Sequence, residues 1–286
     1  MMSTVSRFAP SPTGLLHLGH AYSAVRAHDL ARAAGGRFLL RIEDIDGTRC
    51  REEFVAGIKE DLAWLGLGWD GPVVRQSARL PLYADALERL KAMGLLYPCF
   101  CTRAEISASA GAPHGDAGPA YPGTCRHLSD EERERRADQP HCWRLDMAEA
   151  GARIQPLLWW YDATAGWIKA DPLPHGDVVL ARKETPTSYH LAVTVDDAAQ
   201  GVSDVVRGLD LFEATHIHRL LQALLGLPTP AYHHHPLLTG SDGTRLAKRH
   251  GAQPLAQLRA QGADPARLLA ALRAGELPIG AASANA

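Results

Sequence analysis

The chain has 286 residues, 46% of them hydrophobic, and a formal net charge of −2. That length buries one large or two modest cores, and the near-neutral charge excludes a general affinity for DNA or other polyanions, so an RNA partner would need a local basic face. No apolar run approaches the roughly 20 residues of a membrane span and no basic-flanked apolar leader opens the sequence, so a soluble cytoplasmic protein, expected to be a monomer, follows.

The first element is the most informative. Arg7-Phe8-Ala9-Pro10-Ser11-Pro12-Thr13-Gly14 leads into His17-Leu18-Gly19-His20 and an amphipathic run to Ala34, which reads as strand, loop and helix. A helix start presents N–H groups and partial positive charge to phosphate. Gly19 lets a base or ribose lie against the backbone, and the imidazoles of His17 and His20 are placed to donate to a phosphoryl group. Arg37 to Ile42 is a compact apolar strand closed by Glu43-Asp44-Ile45-Asp46-Gly47. Helical spacing follows over Arg51 to Leu65 and Leu82 to Met93, the latter stopped by Gly94.

Between about Tyr97 and Arg182 the pattern breaks. Ser129 to Glu132 is a capping box for a short charged helix, and Trp159-Trp160-Tyr161 with Trp167-Ile168 predicts a β-hairpin. Val202 to Val206 then reads as a strand, Leu211 to Leu225 as a helix stopped by Gly226, and Pro236-Leu237-Leu238 as a short buried strand. Asp264 caps a last helix to Arg273 with Pro265 at its first position. Strands alternating with helices of this length predict an α/β fold on a parallel sheet. Residues 1–96 and 183–255 are its two halves, 97–182 an inserted subdomain and 256–286 a short helical end and tail.

Five cysteines without an export signal argue against a disulfide framework. Cys99, Cys101 and Cys125 surround a turn and could supply three thiolates to a tetrahedral zinc site, with Tyr121, Cys142, His127 and His114 as candidates for the fourth donor; spacing alone ranks His127 or Cys142 first. His233-His234-His235 alternates faces on a strand, so it is read as wall of the nucleotide site or as surface. Glu43, at the carboxyl end of its strand, is placed to take an ammonium; Arg7 and Arg207 are the basic candidates for a carboxylate.

These residues together resemble the class I aminoacyl-tRNA synthetases of glutamyl type. The resemblance rests on the first signature (7–20) and on Thr244-Arg245-Leu246-Ala247-Lys248-Arg249 as the second, which departs from the family pattern at Arg245 and Ala247. It implies a Rossmann-like catalytic fold whose insertion receives the end of a tRNA. Arg7, Phe8, Ala9, Pro10, Ser11, Glu43, Tyr189 and Arg207 would bind L-glutamate. His17, Gly19, His20 and Lys248 would bind ATP, and His17, His20 and Lys248, with magnesium, would stabilise charge as glutamyl-adenylate forms. The C-x-C and Y-x-x-x-C module implies a structural zinc on Cys99, Cys101, Tyr121 and Cys125. Only 38 residues follow Lys248, too few for the helical anticodon-binding region of the larger relatives. That pattern resembles the glutamyl-queuosine tRNA(Asp) synthetases, which activate glutamate without tRNA and transfer it to queuosine at the wobble position of tRNA(Asp). A truncated glutamyl-tRNA synthetase charging a 3′ end, and an inactive synthetase-like RNA-binding module, are the alternatives.

Overall fold

The computed structural model describes residues 3–102, 104–106, 121–154, 157–238 and 253–275. Val5–Phe8 (β1) is buried along its length and feeds α1 (Leu18–Ala33), whose Leu18, Ala21, Tyr22, Val25 and Ala31 form the apolar stripe that a core-facing helix needs. Arg37–Ile42 (β2), Glu52–Trp64 (α2), Val74–Arg75 (β3) and Leu80–Ala92 (α3) follow. Then come Leu96–Cys99 (β4), Cys142–Leu145 (β5), Trp159–Asp162 (β6), Gly166–Lys169 (β7), Val179–Ala181 (β8), Asp204–Gly208 (β9) and Ala231–His235 (β10). The main sheet has the order β3-β2-β1-β9-β10-β6-β7; β3 through β6 run parallel and β7 returns antiparallel to β6. A three-stranded antiparallel sheet, β4-β5-β8, stands apart.

The predicted α/β fold is therefore present, with the hairpin as predicted, although its position differs from a simple insertion. Tyr232 of β10 pairs with Asp162 of β6, so the Trp159–Lys169 hairpin extends the main sheet, and only β4-β5-β8 with the 121–135 segment forms the separate module. The strand expected at Pro236-Leu237-Leu238 lies one step earlier, at Ala231–His235, which puts the three histidines inside the sheet. Tyr189–Ala199, not read as a helix from sequence, is one. The helix stops Gly35, Gly94 and Gly226 all have positive φ, as left-handed caps require. Among the described residues no helix is long and apolar enough to cross a membrane.

Beneath the carboxyl ends of β1 and β2 lies a buried ionic network. Arg41, fully enclosed, donates to Asp197 (2.7 Å), Gln200 (2.9 Å) and Glu43 (3.2 Å), while Arg7 Nε donates to Asp197 at 3.0 Å. Asp196 accepts from Arg79 (2.6 Å), Tyr83 (2.7 Å) and Gln76 (2.9 Å). Two buried guanidinium groups, Arg7 and Arg41, and the partly exposed Arg79 thus meet three buried carboxylates. Removing one partner leaves buried charge uncompensated, so Asp196→Ala should lower the unfolding free energy by about 3–5 kcal/mol. Denaturant titration reads this directly, and a loss below about 1 kcal/mol would show that the network is not integral to stability.

Candidate active site and metal centre

An open cleft of about 430 Å³ sits at the carboxyl ends of β1 and β9. Its lining includes Arg7, Phe8, Ala9, Pro10, Ser11, His17, Gly19, His20, Glu43, Tyr189 and Arg207, which brings together every residue assigned from sequence to the glutamate and ATP sites except Lys248. Lys248, with Arg245, Ala247 and the rest of the second signature, lies outside the described residues. The loop after β1 is held by main-chain bonds from Glu43 N–H to Pro10 O (3.0 Å) and from Arg51 N–H to Pro12 O (3.1 Å). At Gly208 a Cβ would stand 2.5 Å from Asp210 Oδ1 and 2.7 Å from Leu237 Cδ2, so a larger residue there would require those two side chains to turn aside.

The two signature histidines have a local role that narrows the sequence expectation. His17 is the N-cap of α1; its Nδ1 accepts from Gly19 N–H at 3.1 Å, and His20 Nδ1 accepts from His17 N–H at 3.2 Å. The Gly19 N–H is therefore engaged by His17 and is not offered to a phosphate. Acceptance at Nδ1 places the proton of each neutral ring on Nε2, and the rings lie 3.8 Å apart between centroids.

The charges at the floor of the cleft are arranged asymmetrically. Glu43 is buried, which pushes its carboxyl above the usual range against the opposing pull of Arg41 and Arg7. Arg207 is also buried, yet among the described residues it forms no ion pair. Its guanidinium donates to His234 Nε2 (3.1 Å), Thr215 Oγ1 (2.5 Å) and the Tyr189 hydroxyl (3.4 Å), and lies 3.3 Å from His218 Nδ1. Burial and the Arg207 charge hold His234 down at about 4 and His218 well below the ordinary imidazole range, so these partners are neutral. The nearby carboxylate of Asp162 is one side chain removed, on His234 Nδ1 at 2.8 Å. Arg7, by contrast, is committed to Asp197. The cleft thus carries one buried anion tied into the ionic network and one buried cation lacking a carboxylate.

Arg41, Asp196, Asp197 and His218 support this site and were not picked out from sequence, whereas His234 belongs to the run read as wall of the nucleotide site or as surface. Asp196-Asp197 carries a weak signal, two adjacent acids within the apolar run Leu191 to Ala199. Their partners are more than a hundred residues away in the chain, and no local pattern reports them.

In the separate module, the sulfurs of Cys99, Cys101 and Cys125 all lie within 4.8 Å of one another, and Cys101 and Cys125 are 3.5 Å apart. Tetrahedral coordination with metal–sulfur bonds near 2.3 Å requires sulfurs roughly 3.8 Å apart, so the cluster fits a metal ion. The Tyr121 hydroxyl lies 3.6 Å from Cys101 Sγ and accepts the Cys125 N–H at 2.8 Å. Of the other candidates, His127 is exposed, His114 lies outside the described residues, and Cys142 sits opposite Cys99 in the β4–β5 pair. A hydrogen bond with Cys142 depresses the Cys99 thiol, favouring a thiolate there. Arg144 stacks over the Tyr121 ring at 3.8 Å and hydrogen-bonds Cys99, whose thiolate it favours.

The sequence profile of the tRNA synthetases class I (E and Q), catalytic domain, matches residues 3–281. A protein of Rhodobacter capsulatus named glutamyl-Q tRNA(Asp) synthetase is 54% identical over 92% of this chain and 97% of its own length. A protein of the same name from Symbiobacterium thermophilum is 50% identical over 91% of this chain and 82% of its own. Among solved structures, a glutamate tRNA ligase from Elizabethkingia meningosepticum in complex with its amino acid superposes with a TM-score of 0.73 at 28% identity, covering 87% of this chain. The chain spans about half (53%) of that structure's length. The chain belongs to the class I tRNA synthetase family, through the catalytic domain of its glutamate and glutamine branch, and is a ligase of the aminoacyl-tRNA synthetase type.

Proposed function

We propose that the chain activates L-glutamate with ATP, independently of tRNA, and transfers it to queuosine at the wobble position of tRNA(Asp), as a cytoplasmic monomer. The carrying observation is the charge asymmetry of the cleft: buried Glu43 faces a ligand ammonium, while Arg207, buried without a carboxylate, supplies the partner for the ligand's side-chain carboxylate beside Tyr189. A dicarboxylic α-amino acid completes both charges at once. The acceptor rests on the names borne by relatives at 54% and 50% identity.

In this reading ATP lies along the start of α1, with the base against Gly19 and the phosphates toward the Nε2–H edges of His17 and His20 and toward Lys248. A glutamate α-carboxylate oxygen attacks the α-phosphorus, the α–β bridging bond breaks, and pyrophosphate leaves with the electron pair. Magnesium bound to the nucleotide would offset part of the charge that accumulates. A hydroxyl of the queuosine cyclopentene-diol then attacks the acyl carbon, AMP departs, and the hydroxyl proton passes to the departing phosphate or to solvent. Cysteine nucleophiles have no place in this sequence. Cys99, Cys101, Tyr121 and Cys125 would hold a structural zinc, which would tie β4 to the following turn.

Arg207→Ala should weaken glutamate binding by about 2–5 kcal/mol, because the substrate carboxylate loses its buried cation; glutamate-dependent ATP–pyrophosphate exchange reads it, and an effect confined to the ATP constant would move Arg207 to the nucleotide. Glu43 must be ionised to hold an ammonium, and burial raises the pH at which it takes a proton. Glutamate affinity should therefore fall on acidification from above the usual carboxylate range, and Glu43→Gln should bind weakly with that dependence removed; a parent affinity flat with pH would be inconsistent with the role.

Protein purified without chelator should contain about one zinc per chain, and Cys125→Ser should lose it and melt earlier. Metal-free parent protein refutes the centre. Retention of metal in Tyr121→Phe but loss in Cys142→Ser would make Cys142 the fourth donor. For the acceptor, labelled glutamate should enter tRNA(Asp) with queuosine and not the unmodified tRNA; periodate, which cleaves the free cis-diol, should abolish acceptance. Charging of the 3′ end of unmodified transcripts would instead indicate a glutamyl-tRNA synthetase.

A further inference from the structure

Outside the substrate cleft, the main sheet has a second surface with a defined chemistry. Along β6 the exposure alternates: Trp160 and Asp162 are buried, whereas Trp159 (48% exposed) and Tyr161 (39%) face outward. Across the hairpin Tyr161 pairs with Trp167, which is 69% exposed, and Trp159 pairs with Lys169; side chains of such pairs share a face. The Tyr161 and Trp167 rings are 5.5 Å apart between centroids.

This is the face that α1 covers farther along the sheet. Ser6 and Phe8 of β1 point to α1, whereas Val5 points to the opposite face, where it packs in one cluster with Trp160. Beyond β9, α1 still covers β10 at His235, which is buried against Ser23 (2.9 Å) and Tyr22, whereas Trp159 and Tyr161 of β6 and Trp167 and Lys169 of β7 on this side are exposed. Between α1 and the hairpin turn opens a second cleft of about 460 Å³, lined by Arg26, Asp29, Thr164, His233 and Arg273 among others. The first turns of α1 line the substrate cleft and the later ones line this cleft, so the helix connects the two.

The charges on this face do not cancel. Asp29 is matched by Arg273 (2.8 Å) and Asp204 accepts a hydrogen bond from His233 (2.8 Å), while Arg26 and Lys169 have no ion-pair partner among the described residues. Exposed rings interleaved with unmatched cations are what single-stranded RNA uses: bases stack on the π-faces and phosphates meet the cations, whereas the core of a protein interface is depleted of charge. A chain of net charge −2 has to concentrate such attraction locally.

We propose that Trp159, Tyr161 and Trp167, with Lys169 and Arg26, form a stacking platform for unpaired nucleotides of the tRNA, flanking the nucleotide that reaches the substrate cleft. This rests on the reading of the chain as a tRNA-charging enzyme and assigns that RNA a surface outside the separate module.

The test uses the full chain and end-labelled deacylated tRNA(Asp), with and without queuosine, in anisotropy titrations at fixed salt. Because the rings are exposed, Trp167→Ala and the double variant Tyr161→Ala/Trp167→Ala should fold as the parent does. Each ring removed should raise the Kd for tRNA at least fivefold, Trp167→Phe should stay near the parent, and glutamate-dependent ATP–pyrophosphate exchange should be unchanged. A double variant that binds tRNA within twofold of the parent overturns the platform, whatever the acceptor. A parent that self-associates in sedimentation through this face, with variants that become monomeric and keep full tRNA affinity, overturns it in favour of a protein interface. Ring-dependent binding without transfer to queuosine leaves the platform standing and sinks the acceptor assignment instead.

Discussion

The cleft depends on one buried side chain, Arg41. It stands on β2 two residues before Glu43, is fully enclosed, and holds Glu43 and Asp197 with the same guanidinium. A carboxylate taken out of water to receive an ammonium is costly unless something fixes it. Arg41 supplies that fixation from below, and through Asp197 the constraint passes to Arg7 on β1. Asp197 comes from the helix Tyr189–Ala199, whose first residue, Tyr189, hydrogen-bonds Arg207. The ionic network ties β1, β2 and this helix together, and the Tyr189 hydrogen bond adds β9 through Arg207.

The two ends of the cleft are tuned by opposite means. Glu43 is a buried anion held by Arg41, and burial raises the pH at which a proton competes with an arriving ammonium. Arg207 is a buried cation surrounded by imidazoles, a hydroxyl and a phenol, and its field helps to keep those imidazoles neutral. Neutral partners orient the guanidinium without quenching it, which leaves its charge available to a carboxylate ligand. An acid in direct contact would have made the residue a structural ion pair, as Asp197 does for Arg7.

The parts of this arrangement legible in the sequence are those encoded locally. The run from Arg7 to His20 fixes strand, turn and helix within a few residues, and Glu43 and Arg207 follow from their places at strand ends. The positive-φ glycines and the Ser129 capping box are equally local. What escaped is non-local: Arg41 looks like one polar residue in an apolar strand until Asp197 arrives 156 positions later. The hairpin shows the same limit, since alternation predicts a hairpin but says nothing of its partner, and only the parallel pairing with β10 adds it to the main sheet.

That pairing also explains how His233-His234-His235 divides. Alternation on β10 points His233 to the α1 face, where Asp204 meets it, and His234 to the opposite face, between Asp162 and Arg207. Asp162 accepts from the N–H groups of Thr164 and Ala165 in the hairpin turn, both at 2.9 Å, as well as from His234. The turn geometry of the outer hairpin and the orientation of the cleft's cation are therefore fixed by one carboxylate. The aromatic face of the hairpin and the charge of the cleft are thus joined through β6, Asp162 and His234, the path by which a nucleotide stacked on the former would be positioned relative to the latter.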